Sequence, residues 1–362
     1  MLYTNKMKNN FKYAFILLLF FICGCATMPK NAQHKQKPIF FPAEPDEPRL
    51  QFLTSFSSSD DLESSPSAFR KFIVGDTKSS KPIVKPYGVA AYNNKIYICD
   101  TVHNAIDVLD LEKRKLEYFR PKDAGQLMDP INVCFGPNGD MYVADSRRGQ
   151  VVIFSNSGDY LGTVGNKSEF KPTAVLVKDN KIYICDLKTQ CVKVFGVQDR
   201  KYLYSIPQEG AKEGAKLFSP TNMAIDDEGN LYVSDTGAFR IQKYGASGEF
   251  LMSIGSHGDA PGQFARPKGV AVDKEGRVYA VDAAFENVQI FDKGGKLLLF
   301  FAEPGASPVS LVLPAGIAVD YSLTDYFLPF ADPSFEIEYL VLVTSQYGDR
   351  KLSVFGFGRK KR

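Results

Sequence analysis

Five aspartates recur along the 362-residue chain, each closing a short apolar run: Asp100 in "IYICD", Asp145 in "MYVAD", Asp186 in "IYICD", Asp235 in "LYVSD" and Asp282 in "VYAVD". Carboxylates gathered in this number could hold a hard cation or share acid and base duties. A plainer role weighs more. Aspartate at a strand end caps the next turn by accepting backbone N–H groups, and a repeated turn calls for it in most copies. Other chemistry is thinly supplied. The histidines are His34, His103 and His257, too few for three convergent imidazole ligands. No C-x-x-C, C-x-x-C-H, G-x-S-x-G or phosphate-binding glycine loop occurs. Cys185 and Cys191 flank a short turn, where they either bridge in an oxidising compartment or stay as buried thiols.

A repeat positions these residues. "NVCFGPNGDMYVAD" (Asn132–Asp145), "NMAIDDEGNLYVSD" (Asn222–Asp235) and "GVAVDKEGRVYAVD" (Gly269–Asp282) are copies of one another. "GVAAYNNKIYICD" (Gly88–Asp100) and "AVLVKDNKIYICD" (Ala174–Asp186) are shorter relatives, and a sixth copy starts with "GIAVD" at Gly316. Each follows a proline, at positions 86, 130, 172, 220, 267 and 314, so the spacings run from 42 to 48 residues. Within a copy, strand a ("GVAVD") turns into strand b ("VYAVD"), then strand c ("VQIF") and strand d ("LLLFF"). Gly139, Gly229 and Gly276 supply positive φ in the a–b turn, where the shorter copies use Asn or Asp. Four antiparallel strands per such period define a propeller blade. The 28 Phe, 18 Tyr, 29 Gly and 21 Pro suit short strands joined by turns.

From Pro86 to Phe357 the copies resemble the NHL repeat, with its G-[IV]-A-V-D-x-x-G-x-[IV]-Y-V-[AS]-D core. The family's Asn and Arg after the aspartate survive only as Asn104 and Arg240, and Ser345 replaces the last aspartate. The resemblance implies an all-β, six-bladed β-propeller of four-stranded antiparallel blades, in agreement with the six copies. The sixth copy ends at strand c, "KLSVFGF", without a strand d. Upstream, "FLTSF" (Phe52–Phe56) matches the d strands "FLMSI" and "YLYSI". The N-terminal strand is therefore expected to complete the last blade and close the ring. An insertion, Tyr321–Glu336, interrupts the sixth copy. Its "YFLPF" is apolar enough to pack against the propeller's underside, or else to dock a partner.

The N-terminus carries targeting information. Lys6, Lys8 and Lys12 precede the nine-residue apolar run "AFILLLFFI", too short to span a bilayer but suited to a signal peptide. The following "ICGCA" resembles a bacterial lipobox, which implies lipidation of Cys25 after removal of residues 1–24. Ala26 resembles outer-membrane sorting in two-membrane bacteria. Without the three lysines the 44 basic residues fall to 41, equal to the 41 acidic ones, so net charge gives no case for nucleic acid. The domain reading is a signal peptide (1–24), a Pro-, Lys- and Gln-bearing tether (25–47), the propeller (48–358) and a basic tail (359–362).

In a meander of this kind the segment leading into strand a and the b–c turn share one face, here called the top face. By family resemblance that face usually takes the ligand. Its inner mouth is expected to present Tyr87, Ile131, Asn132, Thr173, Thr221, Asn222, Lys268 and Ala315, and its rim His103, Arg147, Arg148, Lys188, Phe239, Arg240 and Phe285. Arg and aromatic side chains carry binding hot spots. Some six-bladed relatives are histidine-zinc lyases or calcium lactonases with channel ligands. Asn132 and Asn222 share one register here, but Gly, Ala, Gly and Gly hold it in the other blades, a weak donor set for a hard cation. The sequence thus points to a lipid-anchored cell-envelope scaffold that binds a protein, peptide or glycan through Tyr87, Asn132, Thr173, Asn222, Lys268, Arg147, Arg148, Arg240 and Phe285, with no cofactor and no catalytic residue named. The alternative is a calcium- or zinc-dependent hydrolase, lactonase or lyase working in the central channel.

Overall fold

The computed structural model describes residues 37–62 and 80–361. The signal peptide, Cys25 and most of the tether lie outside the described residues. The first strands are β1 (Ile39–Phe41) and β2 (Leu50–Phe56). Blade 1 follows as β3 (Pro86–Tyr92), β4 (Lys95–Asp100), β5 (Ala105–Asp110) and β6 (Lys115–Phe119). Blade 2 is β7 (Pro130–Phe135), β8 (Met141–Asp145), β9 (Gln150–Phe154) and β10 (Tyr160–Val164). Blade 3 is β11 (Pro172–Lys178), β12 (Lys181–Asp186), β13 (Cys191–Gly196) and β14 (Tyr202–Ile206). Blade 4 is β15 (Pro220–Ile225), β16 (Leu231–Asp235), β17 (Arg240–Tyr244) and β18 (Phe250–Ile254). Blade 5 is β19 (Pro267–Val272), β20 (Val278–Asp282), β21 (Asn287–Phe291) and β22 (Leu297–Phe301). Blade 6 contains β23 (Pro314–Asp320), β24 (Phe335–Ser345) and β25 (Leu352–Lys360). All pairings within blades are antiparallel, and the six strands a surround the axis of a six-bladed propeller.

Blade 6 closes as the repeat implies. Strand β2 pairs with β25, Leu50 opposite Phe357 and Phe56 opposite Leu352. Strand β1 then pairs with β2, giving this blade a fifth strand. The tether expected up to position 47 is therefore strand at 39–41. Phe41, Phe52 and Phe301 gather around Phe355 at ring separations of 6.4, 5.5 and 4.8 Å, which welds the latch to blade 5. The basic tail also differs from expectation. Arg359 and Lys360 continue β25, because Glu336 and Phe335 of the long β24 stand opposite them.

Strand b of blades 2, 4 and 5 is buried on both faces, since neighbouring blades cover it on either side. "MYVAD" is accordingly buried at all five positions, with no alternation. Tight a–b turns match their residues: Asn93 and Asn94 both take positive φ (48° and 59°), as do Asp179 and Asn180 (50° and 59°). The insertion forms one helical turn, Thr324–Phe327, and a following 3₁₀ turn, Leu328–Phe330. Phe327 is fully buried and its ring lies 6.3 Å from that of Phe56, so the insertion packs against the latch, while Leu328 and Phe330 stay exposed. Cys185 stands opposite Val192 and Cys191 opposite Asp186, which puts the two thiols on opposite faces of the sheet. They are free, as are Cys99 and Cys134.

At the hub, backbones approach closely. A Cβ on Gly88 would lie 2.7 Å from the Asn132 Cα, and one on Gly316 would lie 2.2 Å from the Tyr87 carbonyl oxygen. Glycine in this register is thus required by the neighbouring strand. Replacing Gly316 with Ala is expected to cost about 1–3 kcal/mol, read as a lower denaturant midpoint. Deleting residues 49–56 exposes the β25 edge and should convert soluble monomer to aggregate on size exclusion. A monomeric, equally stable truncation would contradict the latch.

Candidate functional site: the top face and the hub

The five aspartates are fully buried, and their carboxylates build the top face. Asp100 Oδ2 accepts the N–H groups of Val84 (2.7 Å) and Lys85 (2.9 Å), and Oδ1 those of Val102 (2.9 Å) and His103 (3.0 Å). Asp100, Asp145, Asp186 and Asp282 therefore each hold two things, their own b–c turn and the segment leading into strand a, whereas Asp235 holds the leading segment alone and faces Arg240 Nε at 3.7 Å. Asp145 takes Met128, Asp129 and Arg148, at 2.6, 3.1 and 3.0 Å. Asp186, Asp235 and Asp282 take Lys171 (2.8 Å), Ser219 (2.7 Å) and Ala265 (2.8 Å) from their own leading segments. Ser345 keeps one such bond, from Val312 at 3.3 Å. Capping was the expected role; the clamp on the leading segment needed the fold to be seen. Burial raises the Asp235 carboxyl above its usual range, against the N–H groups of Ser219 and Phe218 and the Arg240 charge.

A second set of bonds ties each blade to the next. Asn132 Oδ1 accepts the Val175 N–H (2.9 Å) and Asn222 Oδ1 that of Val270 (3.4 Å). Thr173 Oγ1 donates to the Pro220 carbonyl at 2.8 Å, and Thr344 Oγ1 donates to that of Tyr87. Further out, Asn104, Gln190 and Glu286 hold the same left-handed position, with φ of 50°, 54° and 53°. Gln190 donates to Phe218 O (2.8 Å), Glu286 accepts from Leu313 N (3.1 Å), and Asn104, its amide turned to donate, meets Met128 O (2.6 Å).

These bonds redistribute the residues expected at the binding site. Asn132, Thr173 and Asn222 are inter-blade staples. Arg148 donates to the carbonyls of Ala124 (3.0 Å) and Gln126 (2.6 Å), and Arg240 to that of Lys216 (2.9 Å), so both hold the loops between strand d and the next strand a. Lys268 Nζ meets the Tyr87 hydroxyl at 3.1 Å, linking blades 5 and 1 across the start of blade 6. Arg147 is exposed and Phe285 half-buried. The hub below is a cavity of about 500 Å³ lined chiefly by aliphatic side chains of the strands a, among them Ala90, Leu176, Ile225, Val272 and Val319.

The mouth shows features that the rim prediction missed. Lys85 and the exposed Lys171 each stand immediately before a strand-a proline. Burial raises the Asp129 carboxyl above its usual range, while the charges of Arg147, Lys85 and Lys171 draw it back. Val102, Met128, Phe218 and Tyr347 expose apolar surface on the same face. The signal was available as the residue preceding each repeat proline. Among the described residues, one group places three metal-ligating donors within 4.8 Å of one another: Asp100, His103 and Asp107 of blade 1. Burial, and next the Asp100 charge, push the Asp107 carboxyl up to about 9, and burial holds His103 below its ordinary value.

Fold and site together define a six-bladed β-propeller with a basic mouth above an apolar hub. No protein-family model matches the chain, and no curated protein matches it. Solved structures do. The chain is similar to a streptogramin B lyase at 12% identity, with a TM-score of 0.52 over 78% of this chain and 85% of that one. A Bacteroides thetaiotaomicron protein of unknown function is similar at 15% identity, with a TM-score of 0.57 over 85% and 75% of the two chains. A gluconolactonase from Xanthomonas campestris is similar at 15% identity, with a TM-score of 0.54 over 89% and 98%. At such identities the likeness is one of fold.

Asp145→Ala removes the acceptor of three backbone N–H groups and should destabilise by about 3 kcal/mol. Ser345→Ala should cost about 1 kcal/mol. Urea melts of the two variants check the difference.

Proposed function

We propose that this protein is an NHL-type propeller lipoprotein of the cell envelope, anchored through Cys25, that binds an anionic protein, peptide or glycan on its top face without catalysing a reaction on it. The observation that carries this reading is the basic mouth, where Arg147 and Lys171 are exposed and Lys85 stands before its strand-a proline. Arg266 and Lys268 extend the basic character around the mouth, and Met128 and Phe218 supply exposed apolar contacts. Basic side chains beside apolar anchors suit a partner carrying carboxylates or phosphates. An outer-membrane location rests on the "CA" after the apolar run and on nothing in the fold.

Channel catalysis is the runner-up. Its support is the architecture shared with proteins named lyase and gluconolactonase, and fold does not transfer activity. Asn132 and Asn222 already serve the backbone of the next blade, which argues against their acting as ligands.

The test reverses charge at Lys85, Lys171 and Arg266, each to Glu. Partner capture from solubilised membranes should fall at least about tenfold, and wild-type capture should weaken steeply with salt. An unchanged partner set in the triple variant sinks the reading. Metal analysis addresses the runner-up: one tightly held calcium or zinc per chain, lost when Asn132 and Asn222 are both replaced, would favour channel catalysis.

A further inference from the structure

We propose that blade 1 carries a divalent-metal site of the zinc class, with His103 and Asp107 as ligands and Asp100 at the third corner. It lies on the outer top face, away from the hub, and is independent of the docking reading above. The geometry is specific. His103 Nδ1 stands 3.0 Å from Asp107 Oδ1 and 3.6 Å from Asp100 Oδ2. A tetrahedral ion with bonds of about 2.0–2.1 Å separates its ligand atoms by about 3.3 Å, midway between those two distances. The His103 ring packs against Tyr118 with centroids 4.4 Å apart, which orients the imidazole before any ion arrives.

Charge supplies the second argument. Asp100 and Asp107 are both fully buried, and two buried carboxylates side by side need a proton or a cation between them. Among the described residues, neither is in an ion pair with a lysine or arginine. Nearby Arg120 lies over the Tyr118 ring at 4.7 Å, and Lys351 Nζ donates to the Gln346 carbonyl at 3.1 Å. Asp100 is saturated by four backbone N–H groups, so it contributes chiefly charge and lends Oδ2 only by exchanging one of those bonds. Asp107 meets the His103 ring nitrogen, with the Asp100 carboxyl alongside, and its oxygens can accept an ion.

The other blades show what this position otherwise holds. The residue in the Asp107 register is Val152, Lys193, Gln242, Gln289 and Ser353 in blades 2 to 6. None is an acid. In blade 3 the Lys193 ammonium sits 3.1 Å from Asp186 and 4.1 Å from the centre of the Phe170 ring. Blade 3 thus builds a cation into the pocket beside its clamp. Blade 1 presents ligands at the same place and takes the cation from solution.

Chelator-treated, detergent-purified full-length protein, titrated calorimetrically with Zn²⁺ alone, tests this. Wild type should bind one equivalent, and Co²⁺ in its place should give the intense visible bands of a low-symmetry four-coordinate ion. His103→Gln and Asp107→Asn should each weaken binding more than about tenfold, and Asp107→Lys, which copies blade 3, should abolish it. Because His103 lies at the surface of the pocket, its variant serves even if an Asp107 substitution fails to fold. No saturable binding by wild type, or wild-type affinity in His103→Gln, would overturn the proposal.

Discussion

A buried carboxylate at the end of strand b is the interaction on which the rest of this propeller depends. Blades are flat sheets of similar sequence, and apolar packing alone leaves them free to slide. Packing energy is non-directional, whereas a carboxylate that accepts two to four N–H groups at fixed angles is not. In four blades that carboxylate fixes both the b–c turn and the segment leading into strand a, and in blade 4 Asp235 fixes the leading segment. The side-chain bonds from Gln190, Glu286, Asn132 and Thr173 then reach the next blade from positions the clamp has set. The top face is consequently rigid backbone, and its free side chains are displayed on it.

That division explains why hub and mouth differ so much in chemistry. Polar atoms near the axis at the top are consumed in joining blades, which leaves the cavity below lined chiefly by Ala, Leu, Ile and Val. Charges not needed for joining are found one residue before the prolines, where the clamped backbone points side chains such as Lys171 and Arg266 outward. A surface of this kind recognises a partner by electrostatic steering and a few apolar anchors rather than by enclosing it.

Much of the architecture was legible because the repeat made it so. Six copies with proline starts and a missing d strand determine blade count and closure together, and "FLTSF" could be placed by its likeness to "FLMSI". The site was less legible for a physical reason. Arg148 and Arg240 at exposed turns read as docking residues, yet unpaired loop carbonyls claim their guanidinium groups. Asn132 looked like an open donor until the Val175 N–H filled it. Strand β1, three residues of "IFF", carries no period long enough to detect. Asp107 declares itself only once strand register places it beside Asp100 and His103.

The interleaved closure of blade 6 also limits how such a ring can change in size. Its outer strands come from one end of the chain and its inner strands from the other, so neither terminus is a place where a whole unit can be added. A blade appended after β25 would part that strand from β2 and leave an open edge on each. Gain or loss of a blade must therefore take place within the run of internal repeats, between Pro86 and Phe301, where each unit hands on to a neighbour of the same shape.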